Sequence, residues 1–204
     1  MFFPNWPDDN HCLQAAIMMI LNTNDHPISW EKVNKITQYE DGLYTWSPAG
    51  VISLSERITG VRMVSNLDYE QFAARGEDFL KESWSDDWFK SQQLHASKHF
   101  EKEKTLTRKL IDKSLFKLKI LKQEDIEQLL DGNLLIALVD AGRLVNQNYT
   151  AGHFVVVFDQ DKDNFYIHDP GLPPQENWQV NKKDFTQAFR GDLIIVPIKI
   201  VLNH

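Results

Sequence analysis

The hydrophobic pattern divides the chain into a mainly helical first part and a β-rich second part. Residues Cys12–Leu21 are apolar almost all round, which is typical of a helix buried on every side. The next predicted elements are two further helices and a charged stretch of helices or loops that covers the core: Ser29–Gln38, Pro48–Thr59, and Tyr69 to about Leu110. We therefore expect residues 1–114 to be helical.

From residue 115 onward the pattern changes to short apolar runs. Residues Leu115–Lys122 alternate Leu, Phe or Ile with Lys, which predicts a half-exposed strand. The remaining predicted elements are a helix closed by Gly132, three buried strands, a capped helix and a final strand: Gln123–Leu130, Leu134–Asp140, His153–Asp159, Asn164–His168, Asn181–Phe189 and Leu193–Val201. Helices first and strands second are typical of an α+β fold. We expect one domain over residues 1–204, helical over 1–114 and β-rich over 115–204.

Composition argues against several classes of function and site. The formal net charge of -7 argues against a general nucleic-acid binder, because phosphate contacts need a surplus of Lys and Arg. One cysteine excludes an intrachain disulfide and any zinc site with two cysteine ligands. The longest apolar run, Ala15–Leu21, is seven residues, too short to span a bilayer. The amino-terminal residues lack the pattern of a signal peptide, so we expect a cytoplasmic protein.

Cys12 is the main candidate for chemistry. It lies at the predicted start of a buried helix, where unpaired N–H groups and the helix dipole favour a thiolate. Asp8 and Asp9 disfavour the Cys12 thiolate, because a nearby carboxylate makes a second negative charge less stable. A base in contact with the sulfur is therefore required for Cys12 to act as a nucleophile. The alternative is a small buried side chain without a chemical role.

His153 and Asp169 are related by the register of a predicted hairpin. If Gln160–Lys162 forms a three-residue loop, Asp159 pairs with Asp163 and His153 lies opposite Asp169. Directly opposed residues project to the same face of a sheet. The carboxylate could then hold one imidazole nitrogen while the other faces a thiol, as triad geometry requires. A register slip of one residue would separate them.

Three motifs follow one another in the same order as these candidates: Asn10–Ala16 (Asn-His-Cys-Leu-Gln-Ala-Ala), Ala151–Val157 (Ala-Gly-His-Phe-Val-Val-Val) and Tyr166–Gly171 (Tyr-Ile-His-Asp-Pro-Gly). Their order and spacing resemble the cysteine, histidine and aspartate motifs of the bacteriocin-processing, double-glycine-leader type of papain-like cysteine peptidases. Residues Ile126–Asp140 are similar to the helix, glycine and buried strand that precede the histidine in that family.

The resemblance implies a papain-like cysteine proteinase fold, in which the amino-terminal helix with the cysteine packs on an antiparallel sheet that carries the histidine and aspartate. It implies Cys12 as nucleophile, His153 as general base and acid, and Asp169 as the residue that orients His153. The expected reaction is cleavage of a peptide or amide bond through an acyl-enzyme, with no cofactor, metal, nucleic acid or membrane involved. No ATP-binding cassette or membrane span follows in the sequence, so we expect the stand-alone form without a transporter.

The chain departs from the family pattern at two positions. Leu13 follows the cysteine where the family usually has Gly. Trp6 stands six residues before the cysteine, where the family has a Gln that contributes to the oxyanion hole. Asn5 and Asn10 carry amides that could replace this Gln, and we favour Asn5. Since one oxyanion donor is typically worth on the order of 100- to 1000-fold in rate, a binding module without turnover is an alternative, as is an amidase, deamidase or acyltransferase with the same triad.

Two further alternatives concern neighbouring residues. The three triad candidates could instead hold a zinc ion together with His11 or His168, although these histidines lack familiar ligand spacing. Trp84, Trp88 and Phe89 could line a substrate groove or anchor their helix to the core.

Overall fold

The computed structural model describes residues 1–198, which form helices packed on both faces of a seven-stranded sheet. The helices are α1 (Cys12–Thr23), α2 (Trp30–Ile36), α3 (Ser47–Ser55), α4 (Tyr69–Arg75), α5 (Glu77–Ser83), α6 (Asp86–Leu94), α7 (Glu101–Asp112), α8 (Gln123–Leu130), α9 (Ala141–Leu144) and α10 (Lys182–Ala188). The strands are β1 (Arg62–Ser65), β2 (Phe116–Leu118), β3 (Asn133–Asp140), β4 (Gly152–Gln160), β5 (Asn164–Asp169), β6 (Gln175–Asn181) and β7 (Phe189–Pro197).

The strand order is β2-β1-β7-β3-β4-β5-β6. The pairs are antiparallel apart from β1 with β2, which run parallel. Strand β1 comes from the first 114 residues and lies between β2 and β7, so both parts of the sequence contribute to one sheet.

Several predicted elements end at different residues in the structure. The helix predicted at Asn181–Phe189 is α10, with Asn181 as its cap, and Phe189 instead opens β7. The final strand therefore begins earlier than the predicted Leu193, and residues 199–201 of that prediction lie outside the described residues. Strands β1 and β6 and helix α9 are additional elements without a clear period-two or helical signal in the sequence.

Helix α1 is surrounded by other elements, as its apolar pattern predicts. Its residues Leu13–Leu21 are all buried, and the helix packs between β4 on one side and α2 and α3 on the other. Gly50 of α3 permits the closest approach, because a Cβ atom at this position would lie 3.2 Å from side-chain atoms of both Leu13 and Ile194. The absence of a side chain at Gly50 therefore lets α3 pack closely against α1.

No helix among residues 1–198 combines the length and the apolar character needed to cross a membrane.

We expect replacement of Ile17 by Ala to destabilise the protein by about 2–5 kcal/mol, because it leaves a cavity between α1 and its neighbours. The free energy of unfolding, measured by urea denaturation, tests this. The matched control is Ile120→Ala, since Ile120 is 77% exposed and its loss should change stability by less than about 0.5 kcal/mol. Equal effects of the two substitutions would contradict the packing described for α1.

Candidate active site

The β4–β5 hairpin places His153 and Asp169 on the same face of the sheet by a different register from the predicted one. Asp159 pairs with Tyr166 instead of Asp163, a shift of three residues. A bulge at Phe158 then reduces the shift to two, so that Val157 pairs with Ile167. Since the side-chain period of a strand is two, an even shift preserves the face. His153 and Asp169 are therefore diagonal neighbours and not directly opposed residues.

The two side chains form a short hydrogen bond. The His153 Nε2 atom lies 2.5 Å from Asp169 Oδ1, and both residues are buried. The backbone N–H of Gly171 donates a second hydrogen bond to the same carboxylate oxygen at 2.7 Å. The carboxylate is thus held from two directions, and it fixes the imidazole in one orientation.

Burial and hydrogen bonding shift the pKa of the His153 imidazole in opposite directions. Desolvation lowers the pKa of His153, but the hydrogen bonds to Asp169 and Cys12, with their charges, raise it from the usual 6.5 to about 10. For Asp169, burial raises the pKa, and the contact with His153 together with the Gly171 N–H lowers it below the usual 3.8. Both shifts favour an imidazolium–carboxylate pair at neutral pH.

Cys12 approaches the same imidazole from the other side of the site. It is the first residue of α1 and is partly exposed, and its side chain is among the groups that raise the pKa of His153. Since Nε2 of His153 faces Asp169, the remaining ring nitrogen, Nδ1, is the atom available to the thiol. The structure thus brings together the three residues that the sequence motifs singled out.

Asn5 connects the two parts of the site. Its backbone N–H donates to the Pro170 carbonyl at 2.7 Å, next to Asp169. Its side-chain oxygen accepts the backbone N–H groups of Trp6 and His11, each at 2.9 Å. Asn5 therefore ties the turn after β5 to the residue that precedes Cys12.

A cleft of about 530 Å³ opens beside the cysteine. Asn10, Cys12 and Leu13 contribute to one part of its lining, and Gly152 and Phe154 contribute from β4. The remaining lining comes from the loop before α3, from the segment between β1 and the end of α6, and from β3, α9 and β7: Tyr44, Thr45, Trp46, Asn66, Leu67, Asp68, Tyr69, Phe79, Ser83, Trp84, Ser85, Trp88, Gln92, Leu138, Arg143, Arg190 and Asp192.

One protein-family model matches part of the chain. Residues 99–199, which include His153 and Asp169, match the sequence model of the Peptidase C39 family. The second half of the chain is thus similar to the Peptidase C39 family.

Solved structures of two peptidases align with the chain. One is the peptidase domain of Streptococcus ComA, a bi-functional ABC transporter involved in a quorum sensing pathway. It aligns with a TM-score of 0.52 and 11% identity over 96% of this chain and 97% of that chain. The other is a putative C39-like peptidase from Bacillus anthracis, with a TM-score of 0.48 and 13% identity over 96% of this chain and 94% of that chain. No curated protein sequence matches the chain. The likeness to the ComA domain confirms the predicted papain-like α+β fold.

The two departures from the C39 pattern have structural explanations. Leu13 is buried and packs above Gly50, whose missing side chain makes room for it. Trp6 is 46% exposed and makes an edge contact with Trp30 at 5.3 Å between ring centroids, so no amide occupies the position of the family's Gln.

The two amides proposed to replace that Gln differ in position. Asn5 does not line the cleft, and its side chain makes hydrogen bonds within the amino-terminal segment, including one from Nδ2 to Asp9 at 2.8 Å. Asn10 lines the cleft beside Cys12, and its side-chain amide makes no hydrogen bond to another residue of the described range, 1–198. This arrangement favours Asn10 over Asn5 as an oxyanion donor, the reverse of the preference that we drew from the sequence.

The histidines considered as zinc ligands have other partners. His11 contacts Asp8 through Nδ1 at 2.9 Å and Asn34 through Nε2 at 3.1 Å. His168 stacks on Phe158 with 4.4 Å between the ring centroids. In the part of the chain that the structure describes, no three His, Cys, Asp or Glu side chains form a cluster that could hold a metal ion.

Trp84, which follows α5, and Trp88 and Phe89 of α6 differ in their surroundings. Trp84 and Trp88 line the cleft, whereas Phe89 packs into the hydrophobic core. No sequence pattern pointed to two other lining residues, Gln92 and Arg190, because their approach to the cleft depends on how distant segments pack.

The His153 pKa predicts a pH dependence of stability. Between pH 6.5 and about 10, the folded chain retains a proton on His153 that the unfolded chain loses. The corresponding stabilisation is present below pH 6.5 and is lost as the pH rises toward 10. We expect the free energy of unfolding to fall more steeply over this range in the parent than in His153→Ala, as measured by urea denaturation at several pH values.

The control for this measurement is His168→Ala. Burial lowers the pKa of His168, so removing its side chain should leave the alkaline decline unchanged. A parent and a His153→Ala variant with parallel pH profiles would show that the His153–Asp169 pair does not contribute in this way.

Proposed function

We propose that this protein, whose second half is similar to the Peptidase C39 family, is a cysteine peptidase-like hydrolase that cleaves a peptide or amide bond with Cys12, His153 and Asp169 as its catalytic triad. The observation that carries the proposal is the buried His153–Asp169 hydrogen bond of 2.5 Å with Cys12 at the same imidazole. The carboxylate fixes the tautomer and orientation of the ring, and the ring stabilises a thiolate as an ion pair.

The reaction proceeds through an acyl-enzyme. The Cys12 proton passes to Nδ1 of His153, and the sulfur attacks the substrate carbonyl carbon to give a tetrahedral intermediate. The imidazolium then transfers its proton to the leaving amine as the C–N bond breaks and the thioester forms. Water, deprotonated by His153, attacks the thioester and releases the carboxylic acid and the free thiol.

The oxyanion of the tetrahedral intermediate needs N–H donors close to the sulfur. Cys12 is the first residue of α1, and backbone N–H groups of a first helical turn have no partner within the helix. The Cys12 N–H and the side-chain amide of Asn10 are the donors that we assign to this role. The Asn10 amide would take the place of the Gln donor that the family pattern implies.

A reducing compartment suits this chemistry. An unpaired cysteine that acts as a nucleophile must be kept from oxidation and from disulfide exchange. We therefore place the activity in the cytoplasm.

Alkylation of Cys12 tests the proposed ion pair. We expect iodoacetamide at pH 6 to label the native parent on Cys12, because the His153 imidazolium stabilises the reactive thiolate. His153→Ala should react at least about tenfold more slowly at this pH, as measured by intact mass over time. The control is His168→Ala, which should react like the parent. Equal rates in the parent and in His153→Ala would exclude an activating ion pair and favour a binding module without turnover.

Acylation by a small active ester tests the oxyanion donor. Asn10→Ala should reduce the rate of acyl-enzyme formation from p-nitrophenyl acetate, by up to about 100- to 1000-fold if the amide acts as a full oxyanion donor. Labelling by iodoacetamide should stay at the parent rate, because alkylation forms no oxyanion. Asn5→Ala is the comparison. If Asn5 supplies the donor instead, it will show this selective loss of acylation and Asn10→Ala will not.

A further inference from the structure

His11, the residue before Cys12, is held at each of its hydrogen-bonding groups. Its backbone N–H donates to the Asn5 side chain and its carbonyl oxygen accepts the Ala15 N–H, each at 2.9 Å. Its imidazole lies 2.9 Å from Asp8 through Nδ1 and 3.1 Å from the Asn34 amide through Nε2. Only 4% of the residue is exposed. His11 is therefore fixed both at its backbone and at its ring.

Three aromatic rings surround this imidazole. Tyr39 stacks on it with 3.9 Å between the ring centroids, and Trp30 and Trp6 lie 5.9 and 6.0 Å away. The Tyr39 hydroxyl also donates to Asp8 at 2.9 Å, so the same residue stacks on His11 and holds the carboxylate that His11 contacts. Trp30 lies in α2 and Tyr39 follows that helix. The ring of His11 is thus anchored to α2 and its flank, outside its own helix.

Asp8 provides a charged anchor for the ring. Burial raises the pKa of Asp8, but hydrogen bonds with the Asn10 N–H, His11 and Tyr39 bring it below the usual 3.8. The carboxylate is therefore ionised at neutral pH, and an ionised carboxylate can only accept hydrogen bonds. Nδ1 of His11 accordingly carries the proton of this contact. Hydrogen bonds to a charged group are stronger than those between neutral groups, so this contact holds the ring firmly.

The anchored side chain does not cap helix α1. His11 occupies the N-cap position of that helix, where Ser, Thr, Asp and Asn are preferred because their side chains accept an N–H of the first turn. The His11 side chain makes no such hydrogen bond, and its ring is directed toward Asp8 and Asn34 instead. Its contacts therefore have a role other than capping.

The peptide group between His11 and Cys12 carries one of the oxyanion donors assigned above. This peptide group is trans, so its C=O and its N–H point in opposite directions within one plane. The C=O belongs to His11 and is held by Ala15, and the N–H is that of Cys12. His11 does not line the cleft. It therefore acts on the reaction through this peptide group and not by contact with the substrate.

We infer that His11 is a positioning residue for the oxyanion donor. Its anchored ring holds the peptide group so that the Cys12 N–H points at the oxyanion that forms when the sulfur attacks a carbonyl carbon. The inference rests on the proposed function, because this oxyanion forms only if Cys12 is a nucleophile. It adds three residues to the site as the groups that hold His11 in place: Asp8, Asn34 and Tyr39.

Two reactions of Cys12 separate the direction of its N–H from the activation of its thiol. Acylation by p-nitrophenyl acetate passes through an oxyanion, whereas alkylation by iodoacetamide does not. His11→Ala should slow acylation roughly 10- to 100-fold, because a displacement of about 1 Å in a preorganised site can cost on the order of 100-fold in rate. Its alkylation should proceed at the parent rate. Intact mass over time measures both reactions.

Two milder variants test the anchor itself. His11→Asn keeps an N–H near the place of Nδ1, so it can still donate to Asp8 and should recover most of the acylation rate that His11→Ala loses. Tyr39→Phe keeps the stacked ring and removes the hydrogen bond to Asp8, so it should slow acylation about 2- to 10-fold with alkylation unchanged. The matched control is His26→Ala, since His26 is exposed beyond the other end of α1. Both of its rates should equal those of the parent.

The possible failures are distinguishable. His153-dependent alkylation together with acylation of His11→Ala at the parent rate would overturn the positioning role and leave the proposed triad standing. A parallel loss of both reactions would also overturn it, because the direction of the Cys12 N–H affects acylation alone. If His11→Ala does not fold, Tyr39→Phe decides, and acylation of that variant at the parent rate overturns the inference. Alkylation of the parent that does not depend on His153 would overturn the proposed function and the inference with it.

Discussion

The burial of helix α1 is the constraint on which the rest of the site depends. Nine consecutive residues of this helix are buried between the sheet and two other helices, so its first residue has little freedom to move. Asn5 adds a direct link, since it bonds both to His11 before the helix and to Pro170 after the aspartate. The thiol and the imidazole are carried by distant segments, yet their separation is set by rigid packing, as preorganised sites require.

A second constraint is electrostatic. Burial alone would favour a neutral imidazole, and the hydrogen bonds to Asp169 and Cys12 reverse this effect. The carboxylate is protected from protonation in turn by His153 and by the Gly171 N–H. The imidazolium and the carboxylate therefore stabilise each other's charged form, and such coupling makes the loss of one partner costly.

The cleft combines two parts of the chain with different origins. The sheet contributes Leu138, Gly152, Phe154, Arg190 and Asp192 to its lining. All five lie within residues 99–199, the range that matches the C39 family. Its aromatic wall comes from Trp46 and from α5 and α6, which lie outside that range. The triad residues and most of the aromatic lining are thus carried by different segments of the chain.

The amino-acid pattern was sufficient to predict the buried helix at Cys12, the strands that carry His153 and Asp169, and the order of the three motifs, because each depends on local periodicity or on residue type. It also placed the histidine and the aspartate on one face, although the predicted hairpin register was wrong. A shift of three residues at the turn and a bulge at Phe158 left an even difference, which preserves the face. Only the tertiary structure brought Cys12 to His153, turned Trp6 away from the cleft and placed Gln92 beside Gly152. These contacts join residues far apart in the chain, and their geometry follows from how the helices pack on the sheet, which no local pattern records.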